Sequence, residues 1–259
     1  ENFGSREGIF RGKTEMLPYM RAGGRVIANG DDDFLCTIPD ALQYGLGESC
    51  AVRATEIEDL ILRGMNFTAT YQGKSCRMHV PALGLHSVYN ALAAVSTGLL
   101  LGMSLSEIAI GIETYTPLKG RMNVHELTRF TLIDDTYNAN PTSMKASLDV
   151  LVKCSGRRVA ILGDMRELGA SAPQMHEDIG RYAASLGIER ILCVGIESRR
   201  MCDGAEAHTP DCADYYATQD DLLAALPELV HDGDVILVKA SRGMHLENTV
   251  EMLLSLAAL

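Results

Sequence analysis

Apolar positions along the chain keep two rhythms, and the change falls near residue 117. Before it, Ile9, Phe10, Met16, Leu17 and Met20 fall near one face of a helix predicted over residues 5–20 and closed by Gly23-Gly24. A strand-rich stretch follows, with strands predicted at 25–29, 50–55, 67–71 and 75–80. The last two flank Gln72-Gly73-Lys74 and read as an antiparallel hairpin. A buried helix is predicted over 87–101, and Ser104 with Glu107 has the spacing of a capping box opening a further helix to about Glu113.

Thr116-Pro117-Leu118-Lys119-Gly120 punctuates the end of that helix, and sets the expected boundary between a domain at 1–119 and one at 120–259. Beyond it, short, nearly continuous apolar runs at 130–133, 158–162, 190–194 and 235–238 alternate with amphipathic stretches at 143–152, 172–186, 219–229 and 246–256. Strands that are apolar on both faces and alternate with helices form a parallel, doubly wound sheet covered on both sides. The fold class expected is therefore α/β.

Composition narrows the function classes. The 259 residues suffice for one large or two modest domains, and 47% hydrophobic with 22% charged residues is the ordinary globular mix. A net charge of −11 argues against a duplex-binding surface, because phosphate backbones need a cationic field; a local nucleotide pocket is still compatible with it. The longest apolar stretch, 91–103, is interrupted by Ser96, Thr97, Gly98 and Gly102 and is shorter than the roughly 20 residues of a membrane span. Seven cysteines without a C-x-x-C pair suggest reduced thiols in a cytoplasm rather than a zinc site or disulfide framework. The chain opens on Glu1, without a signal-peptide pattern, and runs at once into helical sequence; a start inside a domain is expected.

Chemistry concentrates after the strands of the second half: DDTYNANP at 134–141, GDMRELG at 163–169, Gly195-Ile196-Glu197, and Lys239-Ala240-Ser241-Arg242-Gly243. Ligands of open α/β sheets bind outside the carboxyl ends of the strands, so this rim is a candidate site for a polar or phosphorylated ligand. The competing reading is that Asp, Asn and Gly here only make turns and caps. Asp134 and Asp135 could accept ribose hydroxyls or hold a cation, or one could cap a helix. Lys239 and Arg242 could meet a carboxylate or phosphate, or be solvated surface charges. Gly12-Lys13-Thr14 imitates a phosphate loop, but G-x-x-x-x-G-K-[ST] needs glycine at position 7, where Glu7 stands, and no strand precedes it. His86 and Asn90 share a face at a helix start suited to a base edge or an anion, although capping explains them as well. The other six histidines show no paired metal spacing.

The 134–144 stretch, followed by 163–169, resembles the Mur ligase family, in the branch whose members add D-alanyl-D-alanine to UDP-N-acetylmuramoyl-tripeptide. Residues 1–16, 84–94, Gly120-Arg121 and 238–242 match in the same order. The resemblance implies the later part of a central P-loop-type ATPase domain up to about Lys119, then a complete C-terminal Rossmann-like domain. The UDP-binding domain, the phosphate loop and a metal-binding histidine two positions before Glu1 would lie outside residues 1–259, so these alone are expected not to turn over ATP.

The implied reaction activates a peptide carboxylate with ATP to an acyl phosphate, which the incoming amine attacks, with Mg2+ neutralising phosphoryl charge. Lys13 matches a lysine carbamylated on its side-chain nitrogen, a metal-holding role; His86 and Asn90 match residues near the adenine. Arg121 and Asp135 match groups reaching the ATP phosphates and ribose, with Tyr137 beside them as a nucleotide contact. Asn138, Asp164, Arg166, Lys239 and Arg242 are the expected substrate-binding residues of the rim. Partners implied are the UDP-muramoyl-tripeptide and D-alanyl-D-alanine, with no nucleic acid, no membrane insertion and a monomeric cytoplasmic protein. Two departures stand out: Ser87 replaces an asparagine common after the family histidine, and Gly12 replaces a frequent alanine, costing ~1 kcal/mol of helix stability.

Overall fold

The computed structural model describes residues 3–258 and divides into two compact units, Glu1–Thr116 and Pro117–Leu259. Glu1 and Asn2, which open the first stretch carrying the resemblance, lie outside the described residues.

The first unit runs α1 (Arg6–Thr14), β1 (Ile27–Asn29), β2 (Leu42–Gly45), β3 (Val52–Asp59), β4 (Met65–Tyr71), β5 (Lys74–Val80), α2 (Leu85–Leu100) and α3 (Leu105–Glu113). The helix expected over 5–20 stops at Thr14; Pro18, which has no amide hydrogen to donate, sits in a separate 3-10 turn at Leu17–Tyr19. Strand β2 was not anticipated: its four residues lie among turn formers and carry no usable period. The five strands lie in sequence order, parallel from β1 to β3 and antiparallel from β3 to β5. The β4–β5 turn is a two-residue hairpin, since Tyr71 pairs with Lys74, and both Gln72 (φ 50°) and Gly73 (φ 75°) are left-handed as a type I′ turn demands. Val88, Ala91, Leu92 and Val95 of α2 pack with Phe67, Ala69 and Met78 of the sheet. The capping box is formed: Ser104 and Glu107 satisfy each other's backbone amides at the head of α3.

The second unit runs β6 (Asn123–Glu126), β7 (Thr131–Asp135), α4 (Pro141–Leu151), β8 (Arg158–Gly163), α5 (Ala172–Ser185), β9 (Arg190–Val194), α6 (Ser198–His208), β10 (Ala213–Tyr216), α7 (Gln219–Leu229), β11 (Val235–Lys239) and α8 (Glu247–Leu256). The strand order is β10-β9-β8-β11-β7-β6, all parallel except the β6 edge. This is the doubly wound Rossmann-like sheet expected. Leu222 and Leu226 of α7 and Val250 and Leu253 of α8 cover one core, built on Leu132, Ile161, Leu192 and Ile236. The sequence reading missed β6, α6 and β10. The two strands are four-residue edges with little to bury, and α6 turns inward only Met201, Cys202 and small residues.

Those small residues explain how α5 meets α6. A Cβ on Gly180 would stand 1.8 Å from the carbonyl oxygen of Met201, and one on Gly204 would stand 2.2 Å from that of Glu177. Gly180→Ala is therefore expected to destabilise the protein by about 1–3 kcal/mol through overpacking. Gly111→Ala in α3, where nothing lies within 4 Å, should stabilise it by roughly 0.5–1 kcal/mol. Equal shifts of the two urea midpoints would refute the close α5–α6 crossing. Among the described residues no disulfide forms and no helix is long and apolar enough to cross a membrane.

Candidate functional site

The sheet order brings the loops after β7, β8 and β11 side by side. Lys239, the last residue of β11, lies in register between Asp135 of β7 and Leu162 of β8. Its ammonium donates to Asp135 Oδ2 at 2.6 Å and to the Asn138 carbonyl at 2.9 Å, and the side chain is only 2% exposed. The surface-charge alternative for Lys239 is thereby excluded. Asp135 also accepts from Ser147 Oγ of α4 at 2.7 Å and, through Oδ1, from the Met122 amide at 3.3 Å. Asp134 turns back on its own loop, accepting from the Thr136 amide and hydroxyl at 3.1 and 2.7 Å.

Asp164 is likewise buried and engaged. It fills the space that a side chain at Gly195 (φ 117°) would need, and accepts from the Ser198 amide and hydroxyl at 2.8 and 2.7 Å, satisfying the start of α6. The next two residues are fixed from other elements. The Met165 amide donates to Nε2 of His176, which is 0% exposed and whose Nδ1 therefore carries the proton facing the Ala172 carbonyl at 2.7 Å. The Arg166 amide donates to Ser241 Oγ at 2.9 Å, while the Ser241 amide donates to the Asp164 carbonyl at 3.0 Å. Asn140 and Ser143 form a reciprocal cap at the head of α4, with Pro141 at the first turn.

What projects from this braced rim is Arg121, Tyr137, Asn138, Arg166 and Arg242, all exposed. The Arg121 guanidinium lies 3.9 Å from the Tyr137 ring centre and that of Arg242 lies 5.1 Å from it. The rim thus sorts the sequence candidates by role: Asp135, Asp164 and Lys239 face inward and brace the loops, and the guanidiniums face outward. Ser147, His176, Ser198 and Ser241 also belong to the bracing and were missed. Their partners lie 11 to 102 residues away in sequence, beyond the reach of a local pattern.

In the first unit, Lys13 is exposed in the last turn of α1, a helix with no buried residue. That helix is held at its other end, where Arg6 pairs with Asp33 and lies over the Phe34 ring at 5.1 Å, while the Phe10 and Phe34 rings are 5.6 Å apart. The glycine departure gains a reason: Phe3 folds back over α1, and a Cβ on Gly12 would stand 2.4 Å from its ring. His86 and Asn90 are both exposed on the first turns of α2, whose start at Gly84 (φ 76°) has no side-chain cap. Ser87 is buried and donates to the Ala82 and Gly84 carbonyls at 2.8 and 2.7 Å, so its hydroxyl serves the turn.

Tyr89, between His86 and Asn90, donates to Asp31 Oδ2 at 2.9 Å, and Asp31 also accepts from the amides of Leu46 and Gly47 at 2.6 and 3.0 Å. Burial works to raise the Asp31 carboxyl, but these donors outweigh it and hold it below its ordinary 3.8. Burial, together with the Asp31 charge, pushes the Tyr89 hydroxyl up to about 12. A carboxyl lowered on folding stabilises the protein above its unfolded value, and that contribution disappears as pH falls through the lowered value. Asp31→Asn should accordingly flatten the acid limb of the stability curve below the ordinary carboxyl range of about pH 4. An unchanged limb would show that the Tyr89–Asp31 tie carries no linkage. Among the described residues no group of three or more His, Cys, Asp or Glu could hold a metal ion.

A mixed-sheet unit followed by a doubly wound unit with an arginine-lined carboxyl rim is the build of a Mur-type ligase. Residues 1–98 match the Mur ligase middle domain and residues 120–242 match the Mur ligase, glutamate ligase domain; the chain belongs to this family. It is 32% identical over 98% of its length to the UDP-N-acetylmuramoyl-tripeptide–D-alanyl-D-alanine ligase of Bacillus subtilis, and equally to that of Escherichia coli, covering 56% and 57% of those proteins. A crystal structure of MurF from Acinetobacter baumannii superposes with TM-score 0.87 and 35% identity over 99% of this chain and 57% of that one. The chain therefore spans a little over half the length of these relatives.

Proposed function

We propose that this chain supplies nucleotide-binding and amine-side machinery to an ATP-dependent ligase that joins D-alanyl-D-alanine to UDP-N-acetylmuramoyl-tripeptide in peptidoglycan precursor synthesis. The observation that carries the proposal is the arginine-lined rim, braced from beneath by the Lys239–Asp135 pair, in a chain similar over 98% of its length to ligases named for that reaction. Oxyanions develop in both halves of such a reaction, first on the transferring phosphoryl group and then on the collapsing acyl phosphate. Preorganised guanidiniums lower the cost of each.

In this reading Arg121, with Tyr137 beside it, meets the nucleotide phosphates, and Asp135, paired with Lys239 beneath them, holds the nucleotide-side loop. Asn138, Arg166 and Arg242 orient the dipeptide, and Asp164 and Lys239 act by holding the loops that carry these groups. On the first unit His86 and Asn90, exposed on the first turns of α2, take the adenine edge. Among the described residues no cluster of His, Cys, Asp or Glu would hold magnesium by itself; Lys13, exposed and near the negative end of α1, would as a carbamate add one carboxylate ligand to that metal. The −11 charge argues against a nucleic-acid partner, and the reading is completed by a monomer working in the cytoplasm.

The discriminating experiment is phosphate release by the whole protein with UDP-muramoyl-tripeptide, ATP and one amine at a time. Release with D-alanyl-D-alanine but not with D-glutamate or diaminopimelate is expected. Release with another amine assigns a sister ligase, and nucleotide binding without release under any amine assigns a non-catalytic binding module.

A further inference from the structure

We propose that Tyr137 is a positioning residue whose ring aligns Arg121 and Arg242 as a single two-pronged receptor for an oxyanion. The sequence marked these three residues separately, as two kinds of contact for two ligands; the structure places them on one another. Arg121 stands 3.9 Å from the ring centre and Arg242 stands 5.1 Å from it, on loops 121 residues apart in the chain. Tyr137 is 38% exposed, so the assembly is open to a ligand.

Each member is fixed at its backbone before any ligand arrives. The Tyr137 amide donates to the Gly120 carbonyl at 3.0 Å, and the carbonyl of the next residue, Asn138, receives the buried Lys239 ammonium. Gly120 is left-handed (φ 73°), and a Cβ there would come within 3.0 Å of the Tyr137 amide, so this close approach requires glycine. The Arg121 amide donates to the Leu118 carbonyl and to Asn123 Oδ1, and the amide after it is tied to Asp135. Arg242 opens a 3-10 turn whose preceding residue, Ser241, is bonded to both the Asp164 and Ala139 carbonyls.

Two guanidiniums brought to one ring repel each other, and the usual remedy is a carboxylate between them. Among the described residues neither guanidinium is within salt-bridge distance of a carboxylate, although Arg242 and Glu247 attract each other at longer range. The face of the aromatic ring supplies part of that compensation, because its quadrupole attracts cations. The remainder is available to a ligand, and a guanidinium fork matches the geometry of phosphate and carboxylate oxygens alike. Arg166 extends the same positive rim: its guanidinium lies against Gly243, where a Cβ would meet Nη1 at 2.5 Å. In a chain of net charge −11 such a focus is a local reversal of sign, which gives an anion a defined place to bind. The ring is thus covered by Arg121, and its contribution is to hold cations rather than to stack a base.

This inference deepens the ligase reading by assigning one oxyanion receptor, and its test needs no turnover, so failure of that reading and failure of this one are told apart. Binding of inorganic pyrophosphate and, separately, of D-alanyl-D-alanine to the 259-residue chain is measured by calorimetry, with arginine Nε–Hε resonances followed by NMR. Wild type, Tyr137→Phe, Tyr137→Leu, Arg242→Gln and Arg121→Gln are compared, each with its melting temperature. Tyr137→Phe keeps the ring and should bind within twofold of wild type; Tyr137→Leu should weaken binding roughly fivefold to thirtyfold, the worth of two exposed cation–ring contacts. Either arginine variant should weaken the same probe, with melting temperatures unchanged throughout. Loss confined to pyrophosphate assigns the receptor to a phosphate tail, and loss confined to the dipeptide assigns it to a carboxylate. Wild-type binding by Tyr137→Leu, equal losses in Tyr137→Phe and Tyr137→Leu, or an Arg242→Gln variant indistinguishable from wild type overturns the proposal.

Discussion

Replacing Lys239 by methionine should destabilise the protein by about 3–5 kcal/mol, more than any other single change on the rim, because it strands the Asp135 carboxylate in the interior. The ammonium is 2% exposed and its partner carboxylate 9%, so water cannot replace the lost partner, and the Asn138 carbonyl loses its donor as well. Restoring neutrality with Lys239→Met/Asp135→Asn should recover most of the loss, since an orphaned buried charge costs far more than the intact pair contributes. Urea denaturation of the wild type, the single and the double variant decides it: a double variant no better than the single would sink the buried-pair account.

Lys13→Ala should leave folding almost untouched while lowering ligation by the whole protein about 100- to 1000-fold, the scale on which one charge-stabilising group acts. The two effects separate because Lys13 is exposed on a helix that buries nothing and is held through Arg6, Phe10 and Phe34 at its other end. A carbamate differs from an ordinary lysine in being a carboxylate at the end of a long arm. Short-chain carboxylic acids should therefore restore part of the activity to Lys13→Ala, and bicarbonate should not. Wild-type rates in the variant, or rescue by primary amines instead of acids, would remove the carbamate role.

The two variants illustrate which parts of the protein were legible in its amino-acid order. The apolar runs at 130–133, 158–162, 190–194 and 235–238 announced the buried parallel strands, because a strand covered on both faces has to be apolar along its length. The Ser104 cap was equally readable, needing only a partner three residues away. Elements with little to bury left no such trace: β2, β6, β10 and the small-residue helix α6 were found only in the folded chain. Gly12 read as a simple loss of helix propensity until Phe3 was seen lying over it.

The same division runs through the site. Local order by itself determined the α/β class, the concentration of charged loops at the strand ends and the stretches that resemble the Mur ligases. It did not determine which of those charges point outward. Lys239 and Arg242 are three residues apart and chemically alike on paper, yet one is buried on Asp135 and the other lies exposed beside Tyr137. That outcome depends on the strand order β8-β11-β7, which sets the end of β11 between two neighbours that sequence separates by tens of residues. A side chain's periodicity is a local property, whereas its partner and its exposure depend on which distant segments the sheet brings beside it.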